Sequence, residues 1–330
     1  MHPTSFNHRV SKLSTGRTYH FVDQIPENYR PRRTPTILCV HGFPDCWYGW
    51  RYQIGPWTRK GFRVIVPDML GYGDTDRPQD ASEYSTKKLC ADLAALLDLV
   101  GVQRAVVIGH DWGAFTVGRF ALWHPDRLHA LVILSVPYTP PTPEYMSIQK
   151  VAKLAPNLAY QAYFDSPRST KDLDAHLTQF LRVIFQKPDS KSVVINDLIK
   201  GPENLAKIDI PDSDLILNPQ ELAYYQQIFK KGMHQPLNYY RTSKFRYEEE
   251  KASLPSSLRE DLPVLFMYGT KDSTCTTSVI AKSHKFVSRL QTIALEGRGH
   301  WVMVEAKDEV TEKVIEWLEE LMTRPPKAAL

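Results

Sequence analysis

Four short segments carry residues that could do chemistry. Gly109-His110-Asp111-Trp112-Gly113 follows the apolar run Ala105-Val106-Val107-Ile108. Small residues flank Asp111 at two positions on either side, the spacing of a nucleophile held on a tight strand-to-helix turn. Serine is the usual occupant of such a turn. A carboxylate there cannot form an ordinary acyl-enzyme by attacking an ester. It can displace a leaving group at an sp³ carbon and become an ester itself. His41-Gly42-Phe43-Pro44-Asp45 follows a second apolar run, Thr36-Ile37-Leu38-Cys39-Val40. His-Gly-x-x at that place suits an oxyanion loop, with one N–H from Phe43 and another from Trp112. Late in the chain stands Gly297-Arg298-Gly299-His300-Trp301. A lone histidine is usually structural, but His300 comes third in the order nucleophile, acid, base. The acid is expected at Asp272, which follows the run Val264–Tyr268. The competing position, Ser135-Val136-Pro137, has no carboxylate. Asp272 would hold His300 in the tautomer that a general base needs.

These loops must be positioned by strands. Apolar runs at 36–40, 63–66, 105–108 and 130–134 read as strands buried on both faces. Leu89, Leu93, Leu96, Leu97 and Val100 recur at helical spacing between them, with Gly101 as the stop. This is the alternation that builds a parallel sheet with helices on both faces. In such sheets ligands bind outside the carboxyl ends of the strands, where the four segments fall. The pattern breaks at Pro137, Pro140, Pro141 and Pro143. The following region reads as helical. Ser169 with Asp172 resembles a capping box, and Asn218-Pro219 reads as N-cap and N1 of a helix ending before Gly232. Residues 187–217 read as a long loop. Strand-like runs return at 264–268 and 291–295, and Val310 to Leu321 form a last amphipathic helix.

The whole chain bounds these readings. Its 330 residues, 42% hydrophobic and 24% charged, are globular in composition, which excludes disorder and coiled coil. A net charge of +4 gives no reason to expect a nucleic-acid partner or a membrane surface. Clustered cations such as Arg30, Arg32 and Arg33 read as solvated turns. The four cysteines show no C-x-x-C spacing, which suits a reducing, cytoplasmic compartment. The first twenty residues hold no secretory signal, and no apolar stretch is long enough to span a bilayer. The terminal Lys327-Ala328-Ala329-Leu330 matches no address signal.

The motifs together resemble the α/β-hydrolase family, and within it the soluble epoxide hydrolases. The likeness runs from His41 through Ile54 and continues at Gly71-Tyr72-Gly73, Gly109–Gly113 and Gly299–Trp301, spanning roughly residues 15–322. It implies an α/β-hydrolase fold, a mostly parallel sheet with helices on both faces. The core would be residues 1–137 and 263–330, with a helical cap inserted over 138–262. It implies a cis peptide at Phe43-Pro44. It implies two lid tyrosines whose hydroxyls protonate the epoxide oxygen. Tyr160, in Tyr160-Gln161-Ala162-Tyr163-Phe164, resembles the first, and Tyr240, in Pro236-Leu237-Asn238-Tyr239-Tyr240-Arg241, the second. Tyr160, Tyr240, Trp112 and Phe43 would then contact an apolar epoxide, while Tyr163 and Tyr239 pack. Asp45, Tyr239 and Ala114 stand where Glu, Trp and Gly are frequent in the family; Asp45 is placed to help position a water. The reaction would need no metal or organic cofactor, no nucleic acid and no membrane span, in a monomer or homodimer. The larger vertebrate enzymes carry an added phosphatase domain, for which this length leaves no room. Two rivals keep the fold. A haloalkane or haloacid dehalogenase shares the aspartate nucleophile but needs halide donors such as Trp112. A ligand-binding receptor on a dead hydrolase fold would have lost the nucleophile, base or acid.

Overall fold

The computed structural model describes residues 2–190 and 195–323; the Lys327–Leu330 terminus and part of the 187–217 segment lie outside them. Eight strands form one sheet in the order β1-β2-β4-β3-β5-β6-β7-β8. They are β1 (His8–Lys12), β2 (Thr18–Gln24), β3 (Thr36–Val40), β4 (Arg63–Pro67), β5 (Ala105–His110), β6 (Leu128–Leu134), β7 (Val264–Gly269) and β8 (Leu290–Leu295). β1 and β2 pair antiparallel, as do β2 and β4, and every later pairing is parallel. Strands β3, β4 and β5 are buried along their whole length, which accounts for their unbroken apolar runs. The β1–β2 hairpin is an addition to the strands expected from the sequence. β1 is an exposed polar edge strand, and β2 mixes His20 and Asp23 into its apolar residues, so neither carries that signal. Buried Asp23 is matched by Arg63, whose Nε and Nη2 each donate to it at 2.7 Å.

Helices flank the sheet: α1 (Arg51–Arg59), α2 (Thr86–Leu99) and α3 (Trp112–Trp123). Between β6 and β7 the named elements are all helical. They include α4 (Ile148–Leu154), α5 (Tyr160–Asp165), α6 (Pro167–Ala175), α7 (Leu177–Ile184), α8 (Pro202–Ala206), α9 (Pro219–Phe229), α10 (His234–Leu237) and α11 (Ser243–Glu250). The chain closes with α12 (Thr277–Ser283), α13 (Val302–Glu305) and α14 (Lys307–Thr323). None of the described helices is long and apolar enough to cross a membrane.

The sequence expectations meet this layer unevenly. Asn218 caps α9 with a reciprocal box: its Oδ1 accepts from the Glu221 N–H, and Glu221 accepts from the Asn218 N–H. Ser169 is not a cap. It lies inside α6, which opens at Pro167, and its hydroxyl donates to the Phe164 and Ser166 carbonyls. Proline at the first helical position starts the helix earlier than the Ser-Asp pair suggests. The 187–217 segment is less of a loop than expected, holding α8 and 3₁₀ turns at Ile195–Lys200 and Asp212–Asp214.

Two buried ion pairs fasten the helical layer to the sheet layer. Arg51 of α1 donates to Glu221 of α9 at 2.7 Å, and Arg119 of α3 donates to Glu250 of α11 at 2.9 Å. Of the four cysteines, Cys39, Cys46 and Cys90 are buried and unpaired, and Cys275 is partly exposed and unpaired.

Candidate active site

Strand order brings the four chemical segments to one edge. β5 lies beside β3, and β7 and β8 follow β6 on the other side. The loops after β3, β5, β7 and β8 therefore converge at the carboxyl ends of the strands.

Asp111 is the first residue after β5, with φ +55°. A non-glycine residue in the left-handed region stores strain, here at the head of α3. The turn closes because Gly113 has no side chain: a Cβ there would drive into the Val40 carbonyl oxygen. Phe43, next to a cis Pro44 as expected, donates its N–H to Asp111 Oδ1 at 2.9 Å. On the other side His300 Nε2 lies 3.5 Å from Asp111 Oδ2. His300 Nδ1 lies 2.8 Å from Asp272 Oδ2, so the histidine bridges the two carboxylates.

Electrostatics follow from that bridge. Burial opposes the charge of Asp111, yet the bond and charge of His300 hold its carboxyl below the usual range. Asp272 is likewise held low against burial, by His300 and by Thr274. Burial also opposes protonation of His300, but the Asp272 charge and the Asp111 contact raise it well above an ordinary imidazole. The shifts favour ionised Asp111 and Asp272, with the proton on the histidine between them.

A cavity of about 430 Å³ opens over Asp111 and His300, a size suited to a small organic ligand. Phe43, Tyr160, Phe164 and Tyr240 line it. Tyr240 stands edge-on to Phe43 and to Trp112, with ring centroids 5.1 Å apart in both cases. Burial, reinforced by the negative charge of Asp111, pushes both the Tyr160 and Tyr240 hydroxyls up from their ordinary value, so both keep their protons. Trp112 is half-buried behind Tyr240 and does not line this cavity. Tyr239 and Tyr163 are turned to packing: their hydroxyls donate to the Leu70 carbonyl and to Asp172. Asp45 also lies outside the cavity wall, accepting from the Tyr225 hydroxyl at 2.7 Å and the Cys46 N–H at 2.8 Å. Burial pushes its carboxyl up to about 7.

Several residues escaped sequence reasoning. Thr274 donates its N–H and hydroxyl to Asp272 Oδ1, at 2.8 and 2.7 Å. An Asp followed two residues later by Thr is a readable turn signal. Ser135 and His110 both donate to the His300 carbonyl, at 2.6 and 2.9 Å. These contacts cross the sheet edge and have no local signature.

A family model described as the alpha/beta hydrolase fold matches residues 35–307. Epoxide hydrolase A of Mycobacterium tuberculosis is 32% identical over 305 residues, covering 88% of this chain and 92% of that protein. The chain belongs to the α/β-hydrolase family, among the epoxide hydrolases. Bifunctional epoxide hydrolase 2 of Mus musculus is 30% identical over 98% of this chain, but the match spans only 57% of that relative's length. The solved structure of epoxide hydrolase A from Mycobacterium thermoresistibile superposes with a TM-score of 0.81 at 28% identity, covering 95% of this chain and 98% of that one. An epoxide hydrolase from Vigna radiata gives 0.81 at 26% identity, over 96% and 99%. The eight-stranded, mostly parallel sheet with its flanking helices is thus the α/β-hydrolase architecture.

Proposed function

We propose that this hydrolase converts an apolar epoxide and water to a vicinal diol through an ester on Asp111. The observation that carries the reading is an ionised Asp111 facing two buried, protonated tyrosines across one cavity. Tyr160 and Tyr240 hold the epoxide oxygen while an Asp111 oxygen attacks a ring carbon. The C–O bond of the ring breaks as the ester bond forms, and one tyrosine passes its proton to the emerging alkoxide. Such donation strengthens as charge develops, so it lowers the barrier rather than merely tightening binding. His300, oriented by Asp272, then takes a proton from a water that attacks the ester carbonyl. The N–H groups of Phe43 and Trp112 stabilise that oxyanion. The ester C–O bond breaks, His300 returns its proton to the diol oxygen, and the water's second proton restores the tyrosine.

In this reading residues 138–262 form the cap and residues 1–137 with 263–330 the catalytic core. Phe43 and Phe164 form the apolar wall against the substrate. Asp45 braces its loop through Oδ1, which accepts from Tyr225 and Cys46, and its Oδ2, without a partner among the described residues, is left to take a water. Trp112 serves through its amide, and its ring supports Tyr240. A dehalogenase has no use for the tyrosine pair that lines the cavity, which favours the epoxide reading. The unpaired cysteines support residence in a reducing compartment such as the cytoplasm.

The test uses His300→Gln with styrene oxide as probe. Asp111 should be alkylated and the ester should persist, so intact-protein mass rises by one substrate mass. Normal turnover with no adduct would refute the role of His300.

A further inference from the structure

The loop that carries His300 is held from both sides. Its carbonyl accepts from Ser135 and His110, at 2.6 and 2.9 Å. The two N–H groups flanking it, of Gly299 and Trp301, both donate to one side chain, Glu305. Gly299 reaches Oε2 at 2.6 Å and Trp301 reaches Oε1 at 2.9 Å. Each of those peptide units is also held at its other end. The Arg298 carbonyl accepts from the Lys271 N–H at 2.8 Å, and the His300 carbonyl has the two donors just named. Glu305 therefore completes the fixation of both units, and it does so from the wall of the catalytic cavity.

We propose that Glu305 is a positioning residue for the general base, clamping the Arg298–Gly299 and His300–Trp301 peptides so that the His300 ring stays aligned between Asp272 and the ester on Asp111. The inference rests on the epoxide hydrolase reading above. A carboxylate suits this task because it offers an acceptor oxygen to each N–H. Glutamine offers one, and sets an NH₂ donor against the other N–H. Alanine offers none and leaves two backbone donors short of a partner. Charge adds a second effect. Burial raises the Glu305 carboxyl above its ordinary value, while the Gly299 and Trp301 N–H groups and the His300 charge oppose that rise; by reciprocity an ionised Glu305 favours the proton on His300.

The two half-reactions separate positioning from general structure. Ester formation uses Asp111 and the tyrosines, while ester hydrolysis uses His300. In single turnovers with styrene oxide, Glu305→Gln should slow hydrolysis about 10- to 100-fold, as misaligned catalytic groups do. Ester formation should stay within about twofold of the parent rate, so the ester accumulates. The acid limb of hydrolysis should move to lower pH, because His300 has lost a neighbouring negative charge. Glu305→Asp, with two acceptor oxygens on a shorter arm, should recover part of the rate. Equal losses in both steps, or unchanged hydrolysis, would overturn the proposal. Should the variants fold poorly, the unaltered protein provides the readout: the Gly299 and Trp301 amide nitrogens must titrate together with the Glu305 carboxyl, and flat shifts would overturn the clamp. A parent enzyme that forms no diol refutes the parent reading, not the clamp.

Discussion

His300 sits between two carboxylates, and the proposed reaction removes one of them midway. When Asp111 becomes an ester it loses its charge, and the Asp111 contribution that raises His300 disappears. The upward shift favours the protonated form of His300 in the resting enzyme, and its loss on esterification favours the free base when water must be activated. Ester hydrolysis should therefore rise with pH through a midpoint below the His300 value measured by NMR in the resting protein. A midpoint at or above that value would contradict the linkage. Ester formation should persist to lower pH than an ordinary carboxylate allows, because Asp111 is held low. The tyrosine pair has its own signature. With both donors gone the alkoxide has no proton source, so Tyr160→Phe with Tyr240→Phe should slow ring opening about 10³-fold, read as the single-turnover rate of ester formation. Most of these reactive residues were legible because each follows an apolar run at a strand end. Ser135 and His110 were not, because the His300 carbonyl they hold is brought near only by folding, whereas Thr274 and Glu305 hold neighbours two to six residues away.

At the scale of elements, the site depends on how closely α3 passes β3. Gly113→Ala places a methyl group against the Val40 carbonyl, so either the turn or β3 must shift. Overpacking of this kind costs about 1–3 kcal/mol, which chemical denaturation should register together with a loss of activity. The parallel strands β3 to β8 and helices α2, α9 and α14 could be read from periodicity, since burial on one or both faces imposes it. The β1–β2 hairpin could not, because β1 is polar and exposed and β2 sets buried His20 and Asp23 among its apolar residues. Helix α6 starts at Pro167 rather than at Ser169 for a related reason: Ser169 satisfies carbonyls of the preceding turn and so has no free role as a cap.

Across the whole molecule, the small net charge leaves the fold neutral enough for an apolar substrate, while charges inside it do mechanical service. Glu221 and Arg51 are both buried, with side-chain exposures of 4% and 0%. Glu221→Ala would strand the guanidinium without its partner, a loss of about 3–5 kcal/mol that thermal or denaturant unfolding should reveal. A smaller loss in the double variant, with Arg51 also replaced by an apolar residue, would show that the stranded charge is the cause. The Arg119–Glu250 pair secures the helical layer at a second place. Fastened twice, that layer lifts away as one body only by breaking both buried ion pairs. In the proposed reaction epoxide and diol then share one cavity, whose lining includes the exposed Lys187 and Lys271. Accumulating diol should then compete with the next epoxide for that cavity, and initial-rate measurements should show competitive inhibition by product.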